Sequence, residues 1–176
     1  MATVDPATLV FLDETHTPTT LTPRRARAPR GVRAIGHVPR GRWETSSWLA
    51  TLTPDGIGPS VVVPGPIDGV ACDAFVRQFL APTLRPGQLV VLDNLNVHKS
   101  PRARAAIEAT GARLAFLPTY SPDLNPIELA FAKTKTALRQ AEARSCAAVV
   151  TALGAALETV TPADAQAFFR AAGYAP

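Results

Sequence analysis

GQLVVLDN (residues 87–94) is an apolar run of strand length that stops at a carboxylate, and TLVFLD (residues 8–13) has the same form. Both are too short for core helices and are bounded by polar or turn-forming residues, so both read as buried strands. They end on Asp93 and Asp13. A carboxylate is costly to bury, and the C-terminal end of a core strand lets one face solvent while it stays rigidly aimed. Working outward, AIGHVPRG (34–41) and TSSWLATL (45–52) also read as strands, and DGIG (55–58) reads as a hairpin turn into PSVVVPG (59–65). DGVACDAFVRQFLAP (68–82) sets Val70, Ala74, Phe75 and Phe79 at helical spacing and stops at a proline. SPRARAAIEATG (100–111) has a serine cap, a proline at the first helical position and a closing glycine, which predicts a short helix. ARLAFLP (112–118) is a further strand, a helix follows from Pro126, and the alanine-rich tail predicts one or two more, the last entered at Thr161-Pro162. Three strands in meander, then helix, strand, helix, strand, helix, give an α/β fold: a mixed sheet flanked by helices.

The 176 residues suit one domain with a sizeable core, and 47% hydrophobic content with a mean hydropathy of +0.09 excludes a disordered chain. A net charge of +4 and a pI near 9.6 fit a polyanionic partner. Aromatics at 6% argue against base stacking as the main binding mode. Cys72 and Cys146 stand far apart without a CxxC companion, which disfavours a disulfide framework or a thiolate zinc site. The start of the chain lacks a basic-then-apolar signal pattern, and no stretch has the length of a membrane span. A cytoplasmic protein with no membrane partner is expected.

A third carboxylate, Glu128, lies in FLPTYSPDLNPIELAFAKTK (116–135), just inside the helix that opens at Pro126. Two readings of it stand. Asn125-Pro126-Ile127-Glu128 has the form of a capping box, and on spacing alone that reading leads. If the strands ending at Asp13 and Asp93 are neighbours, however, the helix swings Glu128 over both aspartates. Clustered carboxylates repel unless a cation neutralises them, and oxygen ligands without Cys or His select Mg2+ or Mn2+. Two such ions ~3.5–4 Å apart would suit phosphodiester chemistry.

VFLDETHT, VVLDNLNVHKS and LAFLPTYSPDLNPIELAFAKTK together resemble the catalytic domain of a DDE transposase, of the bacterial insertion-sequence branch of the mariner superfamily. The 34 residues between Asp93 and Glu128 match the spacing of that superfamily, and the resemblance covers nearly the whole chain. It implies an RNase H-like fold over residues 1–176 and a catalytic, metal-binding triad of Asp13, Asp93 and Glu128 with Mg2+ or Mn2+, as two ions. It also implies hydrolysis at transposon ends followed by attack of the freed 3′-hydroxyl on target DNA, and a homo-oligomer assembled on DNA. Such proteins work in the bacterial cytoplasm, at the nucleoid when bound. Full-length members carry a helix-turn-helix module before this domain, and here Asp13 comes only twelve residues after Met1. The chain is therefore expected to lack that module, as a truncated copy or as the downstream half of an element joined by frameshifting. An upstream helix-turn-helix polypeptide is then a possible partner. At position 16 the family pattern has glycine where this chain has histidine, which bears on the shape of a loop there.

Further residues carry two readings each. Asn94 is a partner to the metal carboxylates or a turn residue; His98 assists at the phosphate or is structural, and Lys99 beside it contacts DNA. Arg24, Arg25, Arg27, Arg30 and Arg33 form the densest charge run, either a solvated loop or, as favoured here, a sequence-independent DNA contact. Of Lys133 and Lys135, one or two turns past Glu128, at least one faces the substrate groove. Tyr120, Pro122 and Pro126 are expected to fix loop geometry, and Trp43 and Trp48 to serve a core or interface. A haloacid-dehalogenase-type phosphatase is rejected, because its second aspartate would stand where Thr15 does. The other alternative is an inactive transposase remnant that only binds DNA or a partner.

Overall fold

Alternation along the strands predicts two buried faces, and the chain has both, in a computed structural model that describes residues 4–41, 43–94 and 100–174. Among these residues five strands form one sheet: β1 (Leu9–Pro18), β2 (Thr45–Thr53), β3 (Gly56–Pro64), β4 (Leu89–Leu92) and β5 (Arg113–Phe116), in the order β3-β2-β1-β4-β5. β1, β2 and β3 form the antiparallel meander, while β4 pairs parallel to β1 and β5 parallel to β4. The β2–β3 turn needs Gly56, whose φ of +126° is open to glycine alone among common residues. Gly58 permits a close approach, since a Cβ there would stand 2.6 Å from the Thr51 hydroxyl.

Helices cover the sheet on both sides. α1 (Gly69–Phe75) and α2 (Pro101–Glu108) pack on the side of Val10, Leu12, Val90 and Leu92. α3 (Ile127–Ala141), α4 (Cys146–Glu158) and α5 (Pro162–Ala171) pack on the side of Leu9, Phe11, Trp48 and Val91. Trp48 meets Phe131 edge-on at 4.8 Å, and Phe11 meets Phe169 at 5.4 Å. Each such ring contributes about 1.5–3 kcal/mol by burial, and the edge contacts about 0.5–1.5 kcal/mol more. Ser100, Ser145 and Thr161 cap α2, α4 and α5, the last in a full capping box with Asp164.

Four expectations are corrected. Residues 34–41 form no strand; they belong to an exposed arm between β1 and β2, with Ile35 80% exposed. They pair with none of the five strands. β1 also continues past Asp13 to Pro18, because its pairing with β2 runs to Pro18↔Thr45 while its pairing with β4 stops at Leu12↔Leu92. Asp13 thus stands where one neighbour ends, not where its own strand ends. His16 consequently sits in β1, opposite Ser47, rather than in a loop. In α1 the helix is correct and Phe75 is buried, but Val70 and the following Phe79 are exposed, while Cys72, Val76 and Leu80 join Phe75 in the core. A π-helical turn over Val76–Leu80 continues the helix.

Burial pushes the Cys72 thiol up to about 11, with the Asp73, Glu14 and Asp93 carboxylates adding to the shift. Iodoacetamide at pH 8 is expected to modify the partly exposed Cys146 in the folded protein and Cys72 only after unfolding, as mass spectrometry would read. The unfolded thiol ionises first as pH rises, from ~8.5. Its contribution to stability is therefore intact below that pH and is lost as pH rises through 11.

Candidate active site

Side-chain parity places the carboxylates. Residues two apart on a strand share a face, so Asp13 follows Phe11, and Asp93 follows Val91, onto the side covered by α3. The parallel register Leu12↔Leu92 makes the two aspartates neighbours. Glu128 enters from the first turn of α3. All three line one open cleft of about 500 Å³, beyond the carboxyl ends of β4 and β5. They share its walls without closing on a common point: among the described residues, no three His, Cys, Asp or Glu side chains stand at metal-ligand spacing.

Asp13 is only 6% exposed and is fixed from two sides. Its Oδ1 accepts a hydrogen bond from the Glu14 backbone N–H at 2.7 Å, and its Oδ2 accepts one from Asn125 Nδ2 at 2.7 Å. Asn125 is 5% exposed and lines the cleft, and its Oδ1 is buried without a hydrogen-bond partner. An oriented carboxylate, two more carboxylates and an orphaned carbonyl oxygen form an all-oxygen donor set that fits Mg2+ or Mn2+. Asp13, Asp93 and Glu128 are the residues that would hold such an ion.

The capping-box reading of Asn125 and Glu128 is corrected here. α3 has no side-chain cap; the Asn125 amide is spent on Asp13, and Glu128 lines the cleft. Asn125 is the residue that sequence reasoning missed as a site residue, since Asn before Pro reads first as a helix cap. His16 lines the same cleft. Its Nδ1 lies 2.8 Å from Ser47 Oγ, whose proton goes to the Gly65 carbonyl at 2.5 Å. His16 Nδ1 must therefore carry the donated proton, which leaves Nε2 as the free nitrogen of the neutral ring.

Asn94 also lines the cleft and donates to Thr119 Oγ1 at 3.2 Å. His98 and Lys99 lie outside the described residues. Lys135 donates to Thr15 Oγ1, and burial lowers its pKa, partly offset by Glu128 and reinforced by Arg139. Lys133 points elsewhere, into a 2.6 Å ion pair with Asp164. Arg25, Arg27, Arg30 and Arg33 are exposed along the arm, and Arg24 lines a groove with Glu128, Lys135 and Arg139. Trp48 is core, while Trp43 is exposed on the arm. Tyr120 lines the cleft at φ +58°, a left-handed conformation that is rare for a bulky residue, and its side chain is open to solvent.

The sequence profile described as DDE superfamily endonuclease matches residues 8–149. Among solved structures, a pre-cleavage Mos1 transpososome is similar at 14% identity and a TM-score of 0.73, covering 94% of this chain and 53% of the other. A Mos1 mariner paired-end complex with Mn is similar at 18% identity and 0.70, covering 94% and 52%. The catalytic domain of Mos1 mariner transposase is similar at 16% identity and 0.66, covering 94% and 76%. The chain thus spans about half the length of the first two chains. The likeness establishes the fold as RNase H-like. No curated protein sequence matches the chain.

The Asn125–Asp13 bond gives a test of how the site is held. Asn125→Ala is expected to lower stability by about 2 kcal/mol, the loss of a buried hydrogen bond to a charged group. In urea unfolding, the Asp13→Ala/Asn125→Ala double variant should lose clearly less than the two single losses added together; strict additivity would mean that the bond contributes nothing.

Proposed function

We propose that this chain, which belongs to the DDE superfamily endonuclease family, is the catalytic part of a transposase of the insertion-sequence branch of the mariner superfamily. The observation that carries the proposal is the single cleft that Asp13, Asp93 and Glu128 all line, with Asp13 held by Asn125. The substrate is DNA: transposon ends for cleavage and a target for strand transfer. Mos1, which shares the fold, has been seen in a pre-cleavage transpososome, in a strand transfer complex, and in paired-end complexes with Mn and with Mg.

The protein's part is placement and charge. Asp13, Asp93 and Glu128 hold two divalent ions, Mg2+ or Mn2+, in an all-oxygen environment. When bound, that pair supplies Lewis acidity to the scissile phosphodiester and to its nucleophile. Rigid anchoring of Asp13 on a core strand limits the reorganisation needed on binding. Asn94 lines the rim of the site, and the buried Asn125 carbonyl oxygen faces its interior beside Asp13. Lys135, with Arg24 and the other arginines of the arm, contacts DNA phosphates, which demands cations but no sequence reading. His98 and Lys99 join them from the segment after Asp93. Lys133 is left to its structural pair with Asp164. A homo-oligomer and a helix-turn-helix module, on this or another polypeptide, complete recognition of the ends.

Asp93→Asn is expected to abolish Mg2+-dependent nicking of supercoiled plasmid while leaving the metal-free protein as stable as before or more so, because one like charge leaves the cluster. A marked drop in melting temperature for that variant would count against the clustered-carboxylate site. Wild-type protein that binds DNA but never nicks it with Mg2+ or Mn2+ would identify a binding-only remnant.

A further inference from the structure

Two grooves lead away from Glu128, and they differ in charge. One, of about 590 Å³, lies across the start of α3 against the end of α5. Its charged residues, Asp123 and Glu128, are both acidic. The other, of about 390 Å³, runs along α3 and is lined by Arg24, Lys135 and Arg139. Glu128, Lys135 and Arg139 recur at helical spacing on one stripe of α3, and Arg24 reaches the same groove from the arm. The stripe from position 128 to 139 spans about 16 Å along the helix, the axial rise of roughly five nucleotides of one strand.

Glu128 lies at one end of this groove and partly offsets Lys135, but the groove's cations outnumber it. Among the described residues neither Arg24 nor Arg139 forms an ion pair, whereas Lys133, Arg104 and Arg144 each do. Burial is the main cause of the lowered pKa at both Arg139 and Lys135; Arg24 adds to it at Arg139, while at Lys135 Glu128 opposes it and Arg139 adds a smaller repulsion. Three cations along one groove, faced by a single carboxylate at its end, favour the arrival of a further anion. A row of phosphates is such an anion, and the acidic groove on the other side would repel it.

We infer that the DNA strand leaves the carboxylate cleft along the Arg24–Lys135–Arg139 side of α3, with its phosphates in that groove, and does not cross the start of α3 past Asp123. Arg139 is thereby a DNA-positioning residue. The inference rests on the proposed function, because it takes the cleft as the place where the strand is cut.

The test uses the full chain and a fluorescein-labelled 20-base-pair duplex, with anisotropy measured from 50 to 200 mM salt in Ca2+. Arg139→Gln should weaken binding several-fold and reduce the log–log salt slope by about 1, while Arg139→Lys keeps the slope. Charge insertion then separates the two paths: Thr136→Glu, in the basic groove, should weaken binding, and Leu129→Glu, in the acidic one, should not. Both positions are solvent-facing, and a melting curve for each variant checks folding. An unchanged slope in Arg139→Gln, a loss confined to Leu129→Glu, or no binding by the wild type would overturn the inference. Nicking assays on the same proteins keep the two ideas apart. Intact Mg2+-dependent nicking with an unchanged slope sinks the path and spares the function. A reduced slope without any nicking does the reverse.

Discussion

Everything at the candidate site depends on the parallel pairing of β1 with β4, and in particular on the register Leu12↔Leu92. Shift either strand by one residue and its aspartate turns to the other face of the sheet, away from α3. The register is held because both faces are buried: Leu9, Phe11 and Val91 pack under α3 to α5, and Val10, Leu12, Val90 and Leu92 under α1 and α2. A slip would exchange these two sets against helices shaped for the other. Side-by-side aspartates are electrostatically unfavourable, so the apolar core on both faces imposes a juxtaposition that the carboxylates alone would avoid.

The start of α3 shows how local stability yields to that arrangement. α2, α4 and α5 each begin with a side-chain cap, and α3 does not. A cap is worth about 1 kcal/mol, and Asn125 has the side chain to provide one. It bonds to Asp13 instead. That bond ties the first turn of the helix to the middle of β1, so Glu128 follows the aspartates wherever the sheet sets them. Departure from a local rule at one of the five described helices, α1 being capped by Asp68, is the kind of inconsistency expected where function outweighs folding. Ile127 and Phe131, fully buried, offset the missing cap by anchoring the same turn in the core.

Much of this was legible in the sequence because the signals were local. Apolar runs ending at Asp13 and Asp93, the Ser100-Pro101 and Thr161-Pro162 helix starts, and the meander-then-alternation order all survive in the structure. What failed was whatever depended on a partner not visible locally. Residues 34–41 read as a strand but pair with none in the sheet. Along α1 and the π-helical turn after it, Val70 and Phe79 have helical spacing but face outward, because the core lies on the side of Cys72, Phe75, Val76 and Leu80. Asn125 and Glu128 fit a capping box by spacing, and only the approach of Asp13, 112 residues earlier, decides against it.

The two lysines of α3 carry the same point into electrostatics. Lys133 and Lys135 are two residues apart, which on a helix means opposite sides. One meets Asp164 on α5 and becomes part of the scaffold; the other meets Thr15 on β1 and faces the groove that begins at Glu128. The modest net charge of +4 therefore understates the local contrast. Acidic side chains gather at the cleft, and cations lacking a carboxylate partner gather along one stripe of the helix that closes it. α3 is apolar where it meets the sheet, anionic at its first turn and cationic along the next two. A single helix thus sets both where a divalent ion would sit and which way a polyanion can lie across it.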